Sequence, residues 1–95
     1  LVRLGVTAPA AADAEAGAAQ LAAAVRENLA APERDVLGPA PAVFPRLHAR
    51  HRQQILVKGA LGAREKAWLA ACARALRETR RGLDVVVDVD PLGLF

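Results

Sequence analysis

Residues 38–58 read GPAPAVFPRLHARHRQQILVK. Pro39, Pro41 and Pro45 fix φ and remove three backbone donors, so the first half is rigid. The second half turns basic at Arg46, Arg50 and Arg52 and runs into Ile55, Leu56 and Val57. Extended backbone sends alternate side chains to opposite sides. Arg50, Arg52, Gln54, Leu56 and Lys58 go one way, and His51, Gln53, Ile55 and Val57 the other. One side can be buried while the other carries positive charge, which is the layout of a binding surface before that of a catalytic one.

Downstream, Gly59 and Gly62 mark the exit from the strand predicted over residues 50–58. The spacing then predicts a helix over residues 63–81. Its buried stripe is Trp68, Leu69, Cys72 and Leu76, with Lys66, Arg74, Arg77 and Arg81 opposite. Gly82 stands where a C′ glycine belongs, and Arg77, Arg80 and Arg81 in the last turn complement the helix dipole. Residues 83–90 alternate strictly, with Leu83, Val85, Val87 and Val89 inward and Asp84, Val86, Asp88 and Asp90 outward. Pro91 stops that strand.

Upstream, residues 33–37 form a weak strand halted by the Gly-Pro at 38–39. Before it, an alanine-rich helix is predicted over residues 10–31, since alanine is the best helix former. Ala14, Ala18, Leu21, Ala22, Val25 and Leu29 form its narrow apolar stripe. Asp13 or Thr7 caps its start, Pro32 ends it, and Gly17 weakens its interior. Residues 1–6 alternate as a short strand with Val2, Leu4 and Val6 on one side. The order strand, helix, strand, strand, helix, strand predicts an α+β, ferredoxin-like split βαβ fold (β-α-β-β-α-β): a four-stranded antiparallel sheet with two helices on one face. The first and last strands are then neighbours, and Arg3 faces Asp84 or Asp88 across the pair.

Ninety-five residues make one small domain with a single core. The composition is 54% hydrophobic, but alanine dominates it, so the core rests on few Leu, Val and Ile side chains. With no methionine at position 1 and a strand beginning at Leu1, the sequence reads as a fragment of a longer chain. No apolar run has the length of a membrane span, and no signal-peptide pattern is present. One cysteine excludes an internal disulfide and fits a reducing compartment. The net charge of +3 is uneven. Residues 1–45 hold three arginines and five acids, a balance of −2. Residues 46–81 hold ten basic residues against two acids, +8, and residues 82–95 hold three aspartates, −3. A concentrated basic middle points to a polyanionic partner.

No constellation in the sequence carries chemistry of its own. Asp88 and Asp90 share a strand face but have no third ligand and no nucleophile nearby. His48 and His51 lack cysteine partners and the ligand set of a zinc site. Cys72 falls mid-stripe and reads as an inert core thiol. There is no phosphate-binding glycine loop and no nucleophile elbow. A sheet of this topology binds single strands by stacking bases on aromatics in RNA-recognition motifs. Here the only aromatics are Phe44, Trp68 and Phe95, none of them mid-strand. Phosphate contact through Arg and Lys is the version left open.

The run Gly38-Pro39-Ala40-Pro41-Ala42, the strand Arg50-His51-Arg52-Gln53-Gln54-Ile55-Leu56-Val57-Lys58 and the closing Asp88-Val89-Asp90-Pro91 together resemble the end of the PriA family, the primosomal replication-restart DNA helicases (primosomal protein N′). The resemblance covers the whole chain in element order, with its specific motifs in the second half. It implies a C-terminal domain with a ferredoxin-like ribosomal-protein fold that assists binding of single-stranded or branched DNA at abandoned forks. It also implies a parent chain that is an ATP-dependent 3′–5′ DNA helicase, with ATP and zinc bound upstream. The implied partners are the helicase core of the same chain, single-stranded DNA-binding protein and other primosome proteins. The family often interleaves aromatics between the basic residues of the third strand, where this chain has His51 and Gln53.

The resulting expectation is a single non-catalytic domain over residues 1–95, cytoplasmic and nucleoid-associated in a bacterium, with no membrane, cofactor or metal of its own. It contacts DNA through Arg46, His48, Arg50, His51, Arg52 and Lys58. The rival is a structural docking module whose basic strand face braces the helicase core without touching DNA. A ribosomal-type RNA-binding protein is a third reading on the shared fold.

Overall fold

The computed structural model describes residues 1–29, 35–47, 49–59, 61–80 and 82–89, with the backbone alone for 43–47. Six elements follow one another: β1 (Val2–Ala8), α1 (Ala11–Leu29), β2 (Asp35–Leu47), β3 (Arg50–Lys58), α2 (Ala63–Thr79) and β4 (Asp84–Val89). The strands form one antiparallel sheet in the order β2-β3-β1-β4. This is the α+β, ferredoxin-like split βαβ arrangement that the element order predicts.

The alternation of β1 is the centre of the packing. Val2, Leu4, Val6 and Ala8 are buried, while Arg3, Gly5 and Thr7 between them are not. Ile55 and Val57 of β3 and Val85 of β4 join the same buried side, and both helices pack there. Each large apolar side chain buried in this way contributes about 1.5–3 kcal/mol. The predicted stripe of α1 is buried in full, and Gly17 is buried with it. A Cβ at Gly17 would collide with Leu83 Cδ1. The glycine therefore serves close helix–sheet approach, whatever it costs the helix in isolation.

The stripe of α2 is narrower than its periodicity suggests. Leu69, Ala73 and Leu76 are buried, whereas Trp68 and Cys72 are half-buried at its flank. The inward valines of β4 also lose cover along the strand: Val85 is buried, Val87 partly so, and Val89 is exposed. Helix α2 ends at Thr79, its C-cap being Arg80, whose N–H donates to the Leu76 carbonyl at 3.0 Å. Gly82 takes the left-handed conformation (φ +81°) two residues past that cap, one place later than the expected C′ position. Thr7 does not cap α1. It lies in β1, and Asp13 stands in the first turn of the helix. The expected stop at Pro32 lies outside the described residues.

The main departure from expectation is β2, which does not stop at Gly38 but runs through the prolines to Leu47. Its place at the edge of the sheet explains this, because a residue without an N–H is tolerated where no neighbouring strand requires the donor. Register shifts between Leu37 and Ala40, and again between Pro41 and Arg46, absorb the irregularity. Gly38 makes the first shift possible. Its φ is +103°, and a Cβ there would lie 2.7 Å from the Gln54 carbonyl oxygen. Arg26, in the last turn of α1, donates to the Gly38 carbonyl at 2.5 Å and to that of Val36 at 3.3 Å, tying the helix to the bulged edge.

Candidate nucleic-acid interface

With both helices on one side, the other side of the sheet is open among the described residues. Register decides what stands on it. Gly5 pairs with Gln54 on β3 and Val86 on β4, Thr7 with Arg52 and Asp84, and Arg3 with Leu56 and Asp88. Ala40 of β2 pairs with Gln54, and Asp35 with Lys58. The polar residues of β3 therefore form a row down the middle of the open face.

Three of the predicted contact residues, Arg50, Arg52 and Lys58, share this face by strand alternation. His51 has the opposite parity, with Ile55 and Val57, and pairs in register with Ala8 and Arg46. Only the backbone of Arg46 is described, opposite His51 at the hairpin, and His48 lies outside the described residues. The set is thus divided between the open face and the hairpin end instead of converging on one point.

Arg50 is committed to the protein itself. Its Nη2 donates to the Gly82 carbonyl at 2.6 Å and to the Thr7 carbonyl at 3.1 Å. Nη2 and Nε also reach Thr7 Oγ1, each at 3.3 Å. The guanidinium crosses the end of β1 and holds the turn before β4. Spacing alone makes Arg50 equivalent to Arg52; it cannot show that Arg50 reaches Thr7 and Gly82.

The open-face carboxylates are also engaged. Arg3 Nη2 donates to Asp88 Oδ2 at 2.7 Å, a part-buried ion pair, which resolves the expected Arg3 pairing in favour of Asp88. Asp84 Oδ1 accepts from the Val85 N–H at 2.9 Å and lies 4.0 Å from Arg77 Nη1. That same Arg77 nitrogen donates to the Val85 carbonyl at 2.6 Å. Asp84 is therefore turned to the β4 edge, toward α2. Two of the negative charges that would oppose an anion on the open face are in this way neutralised or drawn aside.

Between these side chains the face carries a shallow basin of about 150 Å³, lined by Arg3, Gly5, Thr7, Ala42, Arg52, Gln53, Gln54, Val86 and Asp88. Gly5 leaves its floor bare: among the described residues, a Cβ built there would have only the Val86 carbonyl oxygen near it, at 4.0 Å. A second cavity of about 210 Å³ lies between the helices, lined by Gln20, Leu21, Ala24, Cys72, Ala75, Leu76 and Thr79. Burial pushes the Cys72 thiol above its ordinary pKa by desolvating the thiolate, the reverse of what activates a cysteine.

Among the described residues, no three His, Cys, Asp or Glu side chains gather to hold a metal ion. No helix among them is long and apolar enough to cross a membrane.

The split βαβ order and the single antiparallel sheet place the chain in the class of small ferredoxin-like α+β domains. A family model described as Primosomal protein N C-terminal domain matches residues 1–92, and the chain belongs to that family. Membership ties it to the primosome and to replication restart. No curated protein matches the chain.

Proposed function

We propose that this domain binds single-stranded or fork-structured DNA through the β2–β3 hairpin and the adjoining open face, holding the DNA against the helicase core of its parent chain. The observation that carries the reading is the position of Arg52. It lies on a central strand of the open face, beside a basin, where Asp88 is neutralised by Arg3 and Asp84 is drawn to the edge. Lys58 continues the same side of β3, and Arg46 and His48 extend the cationic run through the hairpin in sequence. Same-side residues on a strand repeat about every 6.6–6.8 Å, on the scale of successive phosphates in an extended strand. Such contacts position DNA without reading its sequence.

The test is a salt titration of binding to one forked oligonucleotide. Arg52→Ala should weaken binding alike for unrelated sequences and flatten the slope of log affinity against log salt by about 0.7. Superimposable titrations would return the basic strand to the docking reading. In that case, the same change would loosen association with the helicase core and leave DNA binding alone.

A further inference from the structure

Resting on that reading, we propose that the basin over Gly5 receives one unstacked base of single-stranded DNA, so that the open face grips bases as well as phosphates. The shape comes from register. Gly5 is the single missing side chain at the crossing of four occupied positions: Arg3 and Thr7 along β1, Gln54 and Val86 across it. Arg3 and Thr7 are four residues apart, about 13 Å, and Gln54 and Val86 two strand spacings apart, about 9.5 Å. A flat floor of peptide backbone with walls at those distances takes a planar ring. Among the described residues the basin is open above, since of these only the Val86 oxygen comes within 4.0 Å of a Cβ at Gly5.

The lining selects a base over the other parts of a nucleic acid. Val86 is 51% exposed on this face, an apolar wall that a phosphate would not use and a ring would cover. Gln54 presents an amide with both donor and acceptor, the pair that a base edge requires. Arg52 supplies a guanidinium, whose plane stacks on bases as aromatic rings do. The Arg3–Asp88 ion pair leaves no net charge at the rim to draw a phosphate into the basin itself, while Arg52 and Lys58 lie along the same strand face for the phosphates on either side. Apart from Phe44 in β2, of which only the backbone is described, no described strand carries an aromatic. The glycine floor provides a place for a base by removing a side chain instead of adding one.

The experiment compares two single strands of equal length on the full 95-residue chain, one with ordinary bases and one built wholly of abasic nucleotides. The phosphates are the same, so only base contacts separate the two affinities. The unsubstituted chain should prefer the strand with bases by about fivefold or more, the fold-change given by the weaker end of base stacking. Gly5→Val fills the basin without touching a charge, and valine suits an extended strand. Its affinities for the two strands should become equal, with the salt slope unchanged and the melting temperature not lowered. Failure to bind either strand would overturn the DNA reading, and the basin proposal with it. Equal binding of both by the unsubstituted chain would leave DNA binding in place and overturn the base site, whether or not Gly5→Val folds. A preference for bases that survives Gly5→Val would also overturn it, since the bases would then be held elsewhere.

Discussion

Arg50 and Arg52 look alike in sequence, but Arg50 ties the end of β1 to the turn before β4, a role that a pair of substitutions at Arg50 can expose. Removing the Arg50 side chain leaves the carbonyls of Gly82 and Thr7 without the donors that reach them at 2.6 and 3.1 Å. A hydrogen bond from a charged donor is worth about 1.5–3 kcal/mol. The Gly82 contact is exposed and water can replace part of it, whereas those to Thr7 are part-buried. Discounting for solvent on that ground, Arg50→Ala should cost about 1–2 kcal/mol. In a domain of this size, that lowers the melting temperature by about 4–16 °C. Arg50→Lys is the more telling change. A lysine keeps the charge but offers a point donor in place of a planar fork, so most of the stability should still be lost while the salt slope of DNA binding stays as it was.

Thermal unfolding followed by far-ultraviolet circular dichroism, beside the salt titration, reads both quantities. A stability loss under about 0.5 kcal/mol for Arg50→Ala, within the scatter of ordinary surface changes, would refute the clamp. A flattened salt slope in Arg50→Lys would refute the division of labour between the two arginines, because no charge has been removed. The structure also rules out the simplest functional test, a double Arg50/Arg52 alanine variant. Weak binding by that protein would mix a loosened β1–β4 end with lost phosphate contacts.

Two further outcomes follow from positions where the backbone or the solvent is constrained. Gly38→Ala places a Cβ 2.7 Å from the Gln54 carbonyl oxygen at φ +103°, so it should lose about 1–3 kcal/mol in urea unfolding; an unchanged midpoint would mean that β2 is not bulged there. Cys72 holds its proton more tightly folded than unfolded, because burial desolvates the thiolate. Its contribution is therefore fully present below the unfolded thiol pKa, about 8.5, and is lost as pH rises beyond it. Cys72→Ala should flatten the alkaline limb of the stability–pH curve, and identical limbs would refute the raised pKa.

Much of the fold was legible because apolar spacing is a local signal. The stripe of α1 and the alternation of β1 and β4 need only neighbours in sequence to be read, and element order then leaves few topologies. What was not legible needed the sheet to be assembled first. A run of prolines reads as a break because an interior strand needs every N–H, and nothing in residues 38–47 says that β2 will lie at an edge. Trp68 and Cys72 fall at helical spacing with Leu69 and Leu76, but the width of the buried stripe depends on how closely α2 approaches α1 and β4. Gly17 reads as a helix weakness until Leu83, 66 positions later, is seen against it.

The candidate site shows the same limit more sharply. Strand parity put Arg50, Arg52 and Lys58 on one face and His51 on the other, and it could say no more, because parity describes a face and not its partners. Three contacts then shape the charge of the face. Arg3 neutralises Asp88, Arg77 draws Asp84 to the edge, and Gly82 occupies Arg50. Charge summed along the chain therefore misjudges the surface in both directions: some of the arginines hold carbonyls, and some of the aspartates are spoken for. The proposed binding position, Arg52 and Gln54 beside Gly5, depends on which residues the strands bring side by side. That position is set by cross-strand register, so composition cannot show it.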